Sequence, residues 1–135
     1  MKYLKIYFAA LISFLVLDGI WLGFVAQGIY YQTLGTFMAE TPDWIAAAIF
    51  YPFFIGGLLY LVVIPLLKSS AKEVLQKGAA YGAITYATYE LTNKAVLEGW
   101  PWLIVPIDIA WGTILCAAVA WVGWRVGQSA KISSE

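Results

Sequence analysis

A chain of 135 residues that is 62% hydrophobic, 17% aromatic and only 12% charged has too little polar surface to cover a soluble domain, and several of its apolar runs are long enough to cross a bilayer. Eight Lys and Arg balance eight Asp and Glu, so no net field points to nucleic acid or to an acidic partner. With no histidine and a single cysteine, Cys116, in mid-span, the sequence excludes disulfides, zinc sites and histidine-based catalysis, and no cofactor or metal is expected.

The pattern predicts an all-α integral membrane protein, a single transmembrane domain built as a four-helix bundle with spans at about 4–26, 44–67, 78–97 and 103–124. Span one opens on Lys2 and Lys5. A signal peptide would open in the same way, but Phe24-Val25-Ala26 puts a large residue where a small one is needed for cleavage, and the run continues past Asp18, so an uncleaved helix is expected. Gly19 and Gly23 form a small-residue face near its end. Gln27 to Asp43 holds Tyr30, Tyr31, Glu40 and Asp43 but no Lys or Arg, and reads as an outer loop with an interfacial helical turn.

Span two contains Pro52 and Pro65 with Gly56-Gly57 between them. Pro52 lacks an amide hydrogen, which predicts a kink near Ala48 to Pro52, either to line a cavity or only for packing. Lys68, Lys72 and Lys77 make the next loop basic. Span three is the most polar, and Gly82, Tyr86, Tyr89 and Asn93 share one face with Glu90 projecting beside it. Glu98-Gly99-Trp100-Pro101-Trp102 is a tight connection with tryptophans suited to the headgroup level. Span four tolerates Pro106 only in its first turn, and Gly112, Cys116 and Ala120 give a second packing face. Seven of the eight basic residues then fall on one side, with Lys94 the exception, which predicts cytoplasmic termini.

Two segments repeat one pattern, Leu17-Asp18-Gly19-Ile20-Trp21-Leu22-Gly23 and Ile107-Asp108-Ile109-Ala110-Trp111-Gly112, each setting a carboxyl inside an apolar run. They lie on helices of opposite direction, the arrangement of an inverted repeat, although spans two and three show no such correspondence. At 1.5 Å per residue Asp18 lies roughly 20 Å into span one, Glu90 roughly 18 Å into span three, and Asp108 roughly 8 Å into span four from the opposite side, so all three reach one layer in the outer half of the membrane. Tyr86, Tyr89, Asn93 and Lys94 would complete a polar pocket, with Trp21 and Trp111 beside it.

Each member also has a structural reading. Asp108 can be a helix-start anion favoured by the dipole, and Asp18 an acceptor for a neighbouring indole or phenol. Glu90 and Lys94 are spaced for an intrahelical ion pair, and the aromatic residues for interface and packing.

The two Asp-x-x-Trp segments, the Tyr86 to Asn93 stretch, and Trp102 through Gly112 together resemble the bacterial membrane-protein family named domain of unknown function 2177. The resemblance covers nearly the whole chain. It implies a small four-helix, multi-pass protein of the bacterial inner membrane, and it implies no activity, cofactor or site residue. The size and span count are also those of small multidrug transporters, although here the acid lies late in span one and has two companions.

The leading expectation is therefore a protein that binds or transports a proton, a cation or a small cationic solute at Asp18, Asp108 and Glu90. Burial and like-charge neighbours favour a protonated carboxyl there. Four helices enclose little volume, so the lipid bilayer and a homodimer joined through the small-residue faces are the expected partners. A structural or assembly subunit, and a membrane-embedded enzyme using Asp18 and Asp108 as acid and base or as Mg2+ ligands on a lipid-like substrate, are the alternatives.

Overall fold

A computed structural model describes residues 1–132, and these are helical with short connections; no strand occurs among them. Helix α1, Lys2–Ile20, runs on into a π-helical turn at Trp21–Val25. A short helix, α2, Gln27–Leu34, follows almost at once, where the sequence predicts a loop with a helical turn. Asp43 caps α3, Trp44–Leu58, by accepting from the amides of Ile45 and Ala46 at 3.0 and 3.1 Å. Helix α3 passes through Pro52 without interruption. A departure from α winding comes later, in a π-helical turn at Leu59–Val63, beyond the glycine pair.

Helix α4, Ala71–Val96, starts with a reciprocal capping box between Ser70 and Glu73, whose bonds hold the Glu73 carboxyl below the usual carboxylate range. The chain turns at Gly99, whose φ of 79° suits glycine, and α5, Ile104–Ile132, places Pro106 in its first turn, where no internal amide bond is lost. The side chain of Lys131, one of the basic residues counted above, lies outside the described part.

Three helical segments are long and apolar enough to cross a membrane: Lys2–Val25 and Trp44–Val63, each with a mean hydropathy of 2.1, and Ile104–Ala130 with 1.8. Helix α4 has 26 residues, about 39 Å of length, but is not among them. Its hydroxyls explain how it packs all the same: Thr85, Thr88 and Thr92 bond back to the carbonyls of Tyr81, Ile84 and Thr88, so their polarity is satisfied within the helix.

Packing is closest between α4 and α5, which run antiparallel. A Cβ added at Gly82 would lie 2.0 Å from the Gly112 carbonyl oxygen and 2.9 Å from the Cys116 side chain, and one at Gly78 would meet Ala120 at 2.8 Å. The Gly112, Cys116 and Ala120 face is therefore taken up inside the chain by α4 and is not available as a contact between copies. Lipid tails are as apolar as leucine, so backbone proximity and dispersion, more than removal of apolar surface from water, hold such helices together. Around this seam Ile6, Ala10 and Phe14 of α1, Ile55 and Leu58 of α3 and Leu115 and Val119 of α5 form the main core. A smaller cluster of Leu34, Trp100, Ile104 and Val105 docks α2 onto the α4–α5 turn.

Candidate functional site

The two Asp-x-x-Trp segments meet. The antiparallel course of α1 and α5 sets the Trp21 and Trp111 rings face to face, 4.5 Å between centroids and 5° from parallel. Each indole then serves the other segment's carboxyl. Trp111 Nε1–H donates to Asp18 Oδ1 at 3.2 Å. Trp21 Nε1–H donates to the Tyr30 hydroxyl at 3.3 Å, and that hydroxyl donates to Asp108 Oδ1. Burial, and then the bond to Asp108, push the Tyr30 phenol well above its ordinary range, so it remains a donor. The π-helical turn that begins at Trp21 widens the last turn of α1, and such turns recur at functional sites.

A second cluster lies beside the first. Glu90, on α4, is 0% exposed, and its Oε2 accepts from Trp100 Nε1–H at 2.9 Å, while its Oε1 has no hydrogen-bonding partner. Lys94 Nζ donates to the Trp100 carbonyl at 2.5 Å and lies 5.3 Å above the Trp102 ring. The bonds of Glu90 and Lys94 thus both go to Trp100, where the four-residue spacing predicts a direct ion pair. The reason is local: Gly99 folds the chain back so that Trp100 comes to lie over the last turns of α4.

Asp108 connects the two clusters. It is 7% exposed and interacts electrostatically with Asp18 on one side and Glu90 on the other. It also lines two cavities. The first, about 330 Å³, is bounded by α2 and α4 and includes Tyr30, Tyr31, Leu34, Tyr89 and Glu90. The second, about 860 Å³, lies between α3 and α4 and includes Phe50, Phe54, Tyr81, Tyr86 and Tyr89. No lysine or arginine lines either one. Among the described residues no group of three or more His, Cys, Asp and Glu is disposed to hold a metal ion.

Of the residues singled out in the sequence, Asp18, Trp21, Glu90, Asp108 and Trp111 converge, Tyr86 stands close to Asp18 and Asp108, and Tyr89 forms a shared wall of both cavities. Asn93 lies beside Tyr89, and neither Asn93 nor Lys94 reaches a cavity wall. Two residues at the centre are absent from the sequence-based set, Tyr30 and Trp100. Both stand in connecting segments, where aromatics read as membrane-interface anchors. The available signal was chemical, since a phenol or indole near embedded carboxyls is a ready donor.

The model of a family described as predicted membrane protein, DUF2177, matches residues 3–125. No curated protein and no solved structure gives a significant match.

Proposed function

We propose, on the premise that this chain belongs to the predicted membrane protein family DUF2177, that it is a four-crossing bundle of the bacterial inner membrane with cytoplasmic termini, and that its outer-half carboxyl pocket binds or transports a proton, a cation or a small cationic solute. One observation carries this reading: at the wall of a 330 Å³ cavity Asp108 lies between Asp18 and Glu90, close enough to share a hydrogen bond with Glu90, whose Oε1 has no donor from any other side chain. A buried carboxyl oxygen without a donor is costly unless a proton or a cation supplies what the protein does not. Lys94, one helical turn from Glu90 in sequence, donates to the Trp100 carbonyl instead. A proton passing between Glu90 and Asp108 as a solute enters and leaves is the mechanism this arrangement supports.

The test is flux in proteoliposomes loaded with a pH-sensitive dye, with inorganic cations and tetramethylammonium supplied outside. Asp108→Asn and Glu90→Gln should each lower proton-coupled flux by about tenfold or more. Unchanged flux and binding in Asp18→Asn and Asp108→Asn would end the proposal. A purely structural role has its own support, since Trp111, Tyr30 and Trp100 give each carboxyl a donor. Under that reading the substitutions lower thermal stability and there is no flux to lose.

A further inference from the structure

The 860 Å³ cleft between α3 and α4 is larger than a proton, a metal ion or a small solute requires, and its chemistry is uneven. Its walls include Phe50, Phe53, Phe54, Leu61, Tyr81 and Ile84, and Asp108 is the one carboxyl among them. Phe53 is 82% exposed and Ile84 67%, so the cleft is open on the outer surface formed by α3 and α4. Tyr81 ties α4 to α3 here, donating to the Phe54 carbonyl at 3.0 Å with its ring 5.2 Å from that of Phe54 and tilted 54° to it. Gly57 makes this contact possible, since a Cβ there would lie 2.7 Å from the Tyr81 hydroxyl.

Three of the polar side chains in the walls are already engaged, while the phenols of Tyr86 and Tyr89 also line the cleft. The Tyr81 hydroxyl is bonded to α3, and the Thr85 and Thr88 hydroxyls bond to carbonyls of their own helix. A ligand in the cleft therefore meets mostly aromatic and aliphatic surface, the Tyr86 and Tyr89 phenols and one carboxyl, Asp108, with no base on any wall. Aromatic rings beside a carboxyl suit an organic cation. The volume suits a molecule of drug-like or single-chain lipid size.

We propose that this cleft is a lateral binding site for a cationic amphiphile, whose apolar body lies among Phe50, Phe54 and Ile84 and whose head reaches Asp108 at the junction with the outer cavity. This rests on the carboxyl-pocket reading and narrows its ligand class. Entry is from the bilayer. Because Asp108 and Tyr89 line both cavities, the head can pass toward the outer one while the body stays among the rings.

The experiment is calorimetric titration of the protein in nanodiscs with tetramethylammonium, decyltrimethylammonium and decyl sulfate, with empty nanodiscs subtracted. Decyltrimethylammonium should bind about 100-fold or more tighter than tetramethylammonium, a modest fraction of what burying ten carbons can supply, and decyl sulfate should show no saturable binding. Asp108→Asn should weaken decyltrimethylammonium by about tenfold or more, with Asp108→Glu restoring part of the loss. Ile84→Trp, which fills the mouth from an exposed position, should weaken the long-chain cation and leave tetramethylammonium unchanged. Equal affinity for the two cations, with both sensitive to Asp108→Asn, overturns the amphiphile assignment and leaves the pocket reading standing. No binding of either cation, together with unchanged proton flux in Asp108→Asn, overturns both. Equal binding of cation and sulfate, insensitive to Asp108→Asn, overturns the assignment by showing an apolar groove without charge recognition.

Discussion

A glutamate with no exposed surface is expected to have every oxygen bonded, and Glu90 keeps one of two unpartnered. The other accepts from the Trp100 indole, so Trp100→Phe removes that donor while keeping an aromatic ring and the backbone carbonyl that Lys94 uses. We expect that substitution to cost about 1–3 kcal/mol, seen as a lower unfolding midpoint in detergent, and the double variant with Glu90→Gln to cost less than the sum of the two. Additive effects would show that the indole and the carboxyl act independently. At this scale the embedded acids were readable, because an ionised group in an apolar run stands out in any sequence. Their donors were not. Tyr30 and Trp100 belong to connections whose course depends on how α2 and the Gly99 turn fold back, and local sequence does not encode that.

Between elements, the close contact of α4 with α5 depends on glycine where backbone meets backbone. Gly82→Ala would drive a methyl group to 2.0 Å from the Gly112 carbonyl, an atom that cannot rotate away, so the helices must separate. A loss of about 1–3 kcal/mol is expected in mixed-micelle unfolding. Gly19→Ala, with nothing within 4 Å, should shift it by no more than about 0.5 kcal/mol. If the two variants behaved alike, the seam would not be where the stability resides. The small-residue spacing showed in the sequence where a helix could come close. It could not say which helix, and the Gly112 face expected to join two copies is used by α4 within one. The proline in α3 gave no sign of the wider turn at Leu59–Val63, because a helix can lose one amide bond and keep its winding.

For the molecule as a whole, composition alone was enough to read an all-helical membrane protein, because burial in lipid leaves helices as the economical way to satisfy the backbone. The number of crossings was harder, since the Lys, Glu, Gln, Thr and Asn residues of α4 give it low hydropathy even though its threonine hydroxyls are satisfied by its own carbonyls. Single cysteines at Glu73 and Glu98, both exposed and at opposite ends of α4, test it in a Cys116→Ala background. In sealed, right-side-out vesicles an impermeant maleimide should label the Glu98→Cys variant and reach the Glu73→Cys variant only after lysis. Labelling of both from one side would mean that α4 does not cross.

The exchange of partners between the two Asp-x-x-Trp segments also sets a schedule for biosynthesis. Asp18 and the indole it needs are separated by 93 residues, so at about 5–20 residues per second the first helix is made roughly 5–20 s before Trp111 exists. Through that interval the carboxyl of α1 has no indole from this chain, and a lone carboxyl facing lipid is unfavourable. The first helix is thus committed to a proteinaceous or hydrated neighbourhood until the last one arrives, and insertion of this chain closes only when its two ends come together.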